Sequence, residues 1–221
     1  MIYEDLKNIE YGHAWEHQQK LFTEALNMKD KGLYAKNTLL FCEHPHVITI
    51  GKHGKQENLL FQEALLKEKG VSLFQIDRGG DVTYHGPGQL VGYPIFDLET
   101  FGIGLRQYIY NLEEIIIRFL KEYDIQAERL EGAAGVWLDT TVPSRTRKIA
   151  AIGVRSSRFV TMHGFALNLN TNLSYFSLIN PCGFIDKGVT SLQQELGQPI
   201  NMDEAKVKIR ELFEEVFVEN K

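Results

Sequence analysis

Cysteine is nearly absent from this chain: there are two, Cys42 and Cys182, in 221 residues. Two thiols cannot build a disulfide framework or a four-cysteine zinc site, and reduced thiols in a cytoplasmic setting are the expectation. Proline (6) and glycine (19) are too few for a linker-like or collagen-like chain. No apolar run approaches the ~18 residues that cross a bilayer. The opening IYEDLKNIEYG is acidic, unlike a secretory leader, and the final VFVENK carries no lipidation motif. Positive charge is not in excess either. Lys and Arg number 24 against 29 Asp and Glu, a net −5, which argues against nucleic acid as a general partner. There are no internal repeats, and neither GxxxxGK[ST] nor GxGxxG occurs.

What remains is an ordinary globular composition, 43% hydrophobic and 24% charged. The length suits a single domain over 1–221 with a sizeable core, its C-terminal helix (about 197–221) packed on the rest. The spacing of Trp15, Phe22, Ala25 and Leu26 predicts an amphipathic helix over 13–31, stopped at Gly32. TLLFC, VITI and VSLFQI read as strands, 59–69 as a helix, LVGYPIFDL as a strand and 105–123 as a strong helix. IQAERL, AAGVWL, KIAAIGVRSS and MHGFALNLN follow as strands, and YFSLI looks strand-like. SLQQEL is a short helix, and 201–219 a terminal one with Asn201 as N-cap. Helices and strands mix without regular alternation, and short connections favour antiparallel pairing. The class is α+β, a mixed, largely antiparallel sheet packed with helices.

Charge is unevenly placed. From Thr140 to Ile185 there is no Asp or Glu, while Arg145, Arg147, Lys148, Arg155 and Arg158 fall in that span. Two readings stand: cations solvated outside strand pairs, or a docking face for something acidic. Cys182 lies here too, between Pro181 and Gly183, where nearby cations would favour a thiolate. Cys42, inside TLLFC, has the setting of a core residue. His44-Pro45-His46 with His53 lacks carboxylates or cysteines at ligand spacing, so no metal is expected. The tyrosines of the 105–123 helix (Tyr108, Tyr110, Tyr123) read as packing and Glu113-Glu114 as a solvated face.

The densest motif is RGGDVTYHGPGQ (78–89). Gly79 and Gly80 permit a tight turn and close approach to a ligand, and Arg78 and His85 bring a donor fork and a titratable ring. A hairpin corner would explain the glycines alone, but not that set of side chains.

This segment, continued as RGGDVTYHGPGQLVGYPIFDL, resembles the signature of the octanoyl-[acyl carrier protein]:protein N-octanoyltransferases. RKIAAIGVR is similar to that family's catalytic-lysine strand, HGFALNLN to its second substrate strand, and INPCGF to its catalytic-cysteine loop. The four run in the family's order, and the resemblance covers about residues 35–195. LDTTVPSRTR, before Lys148, is longer than the family's usual connection.

The resemblance implies the fold of biotin and lipoate protein ligase catalytic domains. It implies transfer of an octanoyl group from octanoyl-acyl carrier protein to a lysine of lipoyl domains, in 2-oxoacid dehydrogenase E2 subunits and glycine cleavage H protein. Cys182 would be the nucleophile and Lys148 its proton partner. The substrate would be bound by Arg78, Gly79, Gly80, Asp81, Val82, Thr83, Tyr84 and His85 in the loop. The paired strands would add Ala151, Ile152 and Gly153, with Gly164, Phe165 and Ala166. No cofactor or metal is implied, no membrane partner, and a monomer. Two rivals stand beside it: an ATP-dependent lipoate or biotin protein ligase working through an acyl-adenylate, and a non-catalytic binder of carrier or lipoyl domain. The loop HGPGQ favours the transferase over the ligase, and the presence of Cys182 and Lys148 disfavours the binder.

Overall fold

Alternation in the strands decides which side of a sheet each residue serves, and the helices then cover the apolar sides. The computed structural model describes residues 1–54, 58, 60, 63–180 and 187–219. The chain begins with β1 (Ile2–Asn8) and α1 (Tyr11–Asp30). Next come β2 (Thr38–Glu43), β3 (Val47–Ile50), α2 (Glu63–Glu68), β4 (Ser72–Gln75), β5 (Val82–His85) and β6 (Gln89–Ile95). The strong helix is α3 (Leu105–Lys121). After it run β7 (Ala127–Leu130), β8 (Ala133–Leu138), β9 (Arg147–Ser157), β10 (Val160–Asn168), β11 (Gly188–Val189), α4 (Leu192–Leu196) and α5 (Met202–Glu214).

Among the described residues the main sheet has the order β1-β2-β6-β10-β9-β8-β7, with β11 beside β9. The pairs from β2 to β7 are antiparallel, and β1–β2 and β11–β9 are parallel. A smaller sheet, β4-β3-β5, carries the strand of the glycine-rich motif. This is the mixed, largely antiparallel α+β arrangement expected.

One face of the main sheet, with Leu39, Phe41, Leu90, Val136 and Leu167, packs on α3 and α5. In α3 the buried stripe Tyr108, Leu112, Ile115, Ile116 and Phe119 follows the helical period. In α5, Ala205, Ile209, Leu212 and Phe213 join the same core. Asn201 caps α5, its side chain accepting from the backbone N–H groups of Asp203 and Glu204. The opposite face, with Leu40, Cys42, Val91, Tyr93 and Ala166, meets Ala14 of α1. No helix among the described residues is long and apolar enough to cross a membrane.

Three sequence expectations are corrected. The N-terminal segment, to which no element was assigned, is edge strand β1. Its charged residues are tolerated because no strand among the described residues pairs with its outer side. YFSLI is not a strand: 173–178 form a 3-10 turn capped by Asn172, whose side chain accepts from the Ser174 N–H. The buried face of α1 is centred on Ala14, Gln18, Phe22 and Ala25, with Trp15 and Leu26 only partly covered.

Candidate active site

A cavity of about 440 Å³ lies against the α1-side face of β6, β8, β9 and β10. Its floor is small or polar. Ala151 and Gly153 of β9, Gly164 and Ala166 of β10, and Gln89, Val91 and Tyr93 of β6 all line it. The pairing Gly153↔Gly164 and Ala151↔Ala166 sets these small residues side by side. Ile152 and Phe165 also line the cavity. Alternation, however, gives the Phe165 ring mainly to the other face, where it packs on Phe41 and Phe213 at 6.2 and 6.0 Å between centroids.

Lys148 reaches the cavity because of a break in the strand. The β8–β9 register slips between Val136 and Trp137: Val136 pairs with Ala150, yet Trp137 pairs with Lys148. Ile149 is the extra residue of a β-bulge, so Ile149 and Ala150 both enter the core while Lys148 and Ala151 both line the cavity. The Lys148 ammonium donates to the Ala134 carbonyl at 3.3 Å and lies 4.4 Å from the Trp137 ring centroid. The long connection before it is a compact turn, the Thr146 hydroxyl donating to the Asp139 carbonyl at 3.0 Å.

The glycine-rich loop forms the roof. The Gly79 N–H donates to the Val154 carbonyl of β9 at 2.9 Å. Gly51 leaves room for it from the other side, since a Cβ there would stand 2.5 Å from the Gly80 oxygen. Arg78 is buried and clamps this turn, donating to the Thr49 carbonyl at 2.9 Å, to the Thr49 hydroxyl and to the Gly79 carbonyl at 3.0 Å. Asp81 accepts from the Asn58 side chain at 2.5 Å, and the Asn58 carbonyl accepts from the Asn180 N–H at 2.8 Å. Val82 and Thr83 line the cavity with the loop. Tyr84 does not. Alternation along β5 turns it to the small sheet's core, where its hydroxyl bonds His46 Nδ1 at 2.7 Å and its ring stacks on Tyr175.

His85 ends a chain of buried amides. Its Nδ1–H donates to Gln89 Oε1 at 2.7 Å, Gln89 Nε2 donates to Asn168 Oδ1 at 2.9 Å, and Asn168 Nδ2 donates to the Thr190 carbonyl at 3.0 Å. The Thr190 N–H in turn donates to the Lys148 carbonyl at 2.9 Å. Burial is the main cause that pushes the His85 imidazole down to about 3, with His44 next, so it is neutral at physiological pH. His44 is likewise held down to about 4 by burial. Its Nδ1–H donates to the Ile9 carbonyl and its Nε2 accepts from the Tyr93 hydroxyl, both at 2.7 Å. Those contacts make His44 a core histidine, and no cluster of three or more possible metal ligands exists among the described residues.

Cys182 lies outside the described residues. On either side of its segment, Ile179 and Lys187 line the cavity, and β11 follows with Val189 paired to Lys148. The sequence reading missed Trp137, Gln89, Asn168, Tyr11, Tyr93 and His163 as cavity residues. The signal for two of them was present: Gln89 and Asn168 are polar residues at the ends of strands, each next to an apolar run. His163 breaks alternation with φ of 61°, and its Nε2 meets Asp77 at 3.0 Å. That hydrogen bond, then Arg155, holds the Asp77 carboxyl below its usual range.

The acid-free span is not an uncompensated basic surface. Arg147 is bidentate to Glu195 at 2.8 and 2.7 Å and also pairs with Asp139; Arg155 pairs with Asp77, and Arg158 with Asp30. Carboxylates distant in sequence neutralise what the local sequence leaves unbalanced.

The sheet with its roofed cavity defines a catalytic domain of the lipoyl protein ligase A/B type. Residues 10–214 match the model of the "Lipoyl protein ligase A/B catalytic domain" family. An octanoyltransferase of Parabacteroides distasonis is 62% identical over 215 residues, covering 97% of each chain. Among solved structures, the bi-partite lipoate protein ligase of Thermoplasma acidophilum aligns with a TM-score of 0.69 at 16% identity, over 97% of this chain and 82% of that one. The biotin protein ligase of Aquifex aeolicus aligns at 0.51 and 14% identity, over 98% and 68%. The chain belongs to the lipoyl protein ligase A/B catalytic domain family and, within it, to the octanoyltransferases, which are acyltransferases.

Proposed function

We propose that this enzyme moves an octanoyl group from octanoyl-acyl carrier protein to a lysine of lipoyl domains, in lipoate biosynthesis, through a thioester on Cys182. The observation that carries the reading is the shared cavity. Lys148 is turned into it by the bulge, and Ile179 and Lys187, which flank the Cys182 segment, line the same space.

In the first step the Cys182 sulfur attacks the donor's thioester carbonyl. The carrier's thiolate leaves and takes the proton the cysteine gave up, with Lys148 as the group that carries it. In the second step the acceptor lysine's neutral amine attacks the S-octanoyl carbonyl. The new amide bond forms, the Cys182 thiolate leaves, and Lys148 accepts the amine's excess proton before returning one to sulfur. Thioester to thioester is nearly isoergic and thioester to amide is downhill, so no nucleotide enters. The ligase alternative is supported only by fold likeness at 14–16% identity.

The acceptors on this reading are lipoyl domains of 2-oxoacid dehydrogenase E2 subunits and the glycine cleavage H protein, and the acting unit is a monomer of one domain in the cytoplasm. Substrate contacts come from the floor and from Gly79, Gly80, Val82 and Thr83. Arg78 and Asp81 hold the loop. The test is octanoyl transfer from carrier to a lipoyl domain without ATP. Turnover by the wild type and none by a folded Cys182→Ala variant is the expected result. Turnover only with ATP and free octanoate overturns the reading.

A further inference from the structure

The register of the floor strands supplies a scale for the cavity. Trp137 pairs with Lys148, and two residues back along β8, Gly135 pairs with Ala151. Ala151 pairs with Ala166, which pairs with Val91. Two residues further along β9, Gly153 pairs with Gly164, and the register of the Phe165↔Gly92 pair, continued by one residue, brings Gly164 level with Tyr93. Three cross-strand rows therefore succeed one another: Lys148 with Trp137, Ala151 with Ala166 and Val91, and Gly153 with Gly164 and Tyr93. At about 3.3 Å per residue, the first and third rows are about 13 Å apart.

The floor of small residues ends at the third row, past which Val154 and His163 complete the lining. Beyond it, Met162 and Ile95 are packed under Phe22 and Ala25 of α1 and take no part in the lining. Over it, the roof comes down: a Cβ on Gly153 would stand 3.0 Å from the Gly79 oxygen and 3.1 Å from Arg78 Cδ. Tyr93 is the one bulky side chain in that row, and it cannot swing aside. It is buried, and its hydroxyl donates to His44, whose other nitrogen is held by the Ile9 carbonyl.

We propose that Tyr93 is the end wall that selects acyl-chain length, a specificity-determining residue for the reaction. This rests on the octanoyl-thioester reading above. An extended octanoyl group has seven carbon–carbon bonds of about 1.5 Å, which project to about 9 Å from carbonyl to terminal methyl. A further 3.5–4 Å or so of van der Waals contact brings the wall to about 13 Å from the carbonyl. That is the row spacing when the carbonyl sits at Lys148. Shorter chains leave apolar space unfilled, and longer ones meet the ring.

The experiment compares kcat/KM for transfer from hexanoyl-, octanoyl-, decanoyl- and dodecanoyl-acyl carrier protein to a lipoyl domain. It uses the wild type, Tyr93→Leu and Ala151→Leu, each checked for folding by thermal unfolding. The wild type is expected to peak at octanoyl. Tyr93→Leu opens the wall, and the decanoyl-to-octanoyl ratio rises about fifteenfold, since each of the two added methylenes is worth about a fourfold change when buried. Ala151→Leu blocks the second row and shifts the peak to hexanoyl. This variant decides the question alone if Tyr93→Leu, which strips His44 of its donor, does not fold. Folded variants whose profiles stay centred on octanoyl overturn the wall. A wild type that transfers none of the four overturns the octanoyl-thioester reading itself, and the wall with it.

Discussion

The Lys148 ammonium lies 4.4 Å from the centroid of the Trp137 ring, on the residue with which Lys148 is paired across β8 and β9. The contact exists because Ile149 is an extra residue: without the bulge, alternation would send Lys148 into the core side of the sheet. A ring face under a cation and a carbonyl beside it fix the head group at the cavity wall.

Replacing Lys148 by Ala is expected to slow both half-reactions by about 10²–10⁴-fold, the range of a positioned proton-transfer group. The side chain is only half-buried, so folding is retained. Single-turnover rates of acyl loading and of transfer check this, and rates equal to the wild type across neutral pH would remove Lys148 from the chemistry.

Gln89→Leu is expected to destabilise the fold by about 1–3 kcal/mol for each buried group it orphans, here His85 Nδ1–H and Asn168 Oδ1. Urea unfolding measures it. A loss under about 0.5 kcal/mol would mean that the amide chain is not a working connection.

Stability should fall as pH falls below about 6.5, before the carboxylates titrate. In the unfolded chain imidazoles protonate near 6.5. In the fold His85 resists to about 3 and His44 to about 4. Between those values the unfolded state binds more protons. The stability that their neutrality confers is present above 6.5 and is lost on acidification, by up to about 1.4 kcal/mol per pH unit for each ring. Unfolding free energies at pH 7, 6, 5 and 4.5 test this, and a flat profile contradicts it.

The paired Arg155 and Arg158 should leave the wild type's KM for the acyl carrier nearly independent of salt. Both cations already face Asp77 and Asp30, so the surface they present to an acidic partner is close to neutral. A several-fold rise in KM with added salt would restore the basic span as a docking face.

Most of the fold was legible because strong periodicity and punctuation coincide with burial, as in α3 and in the strand run from 127 to 168. The cavity was legible as segments, since the loop and the floor strands each carry an unusual residue pattern. Three things were not. A single-residue bulge leaves no mark in RKIAAIGVR, which reads equally well as a regular strand. The neutralisation of Arg147, Arg155 and Arg158 comes from Glu195, Asp77 and Asp30, partners 48 to 128 positions away. Tyr84 and Tyr93 are both tyrosines in strands, and only the three-dimensional pairing tells which one faces the cavity.

The central claim is that an octanoyl group passes through Cys182. Intact-protein mass after mixing with octanoyl-acyl carrier protein, without ATP, followed by peptide mapping, tests it most directly. The account predicts one octanoyl adduct on Cys182 that disappears when a lipoyl domain is added and reappears as a modified lysine there. Transfer to the lipoyl domain with no adduct on Cys182, or an adduct elsewhere, would contradict it.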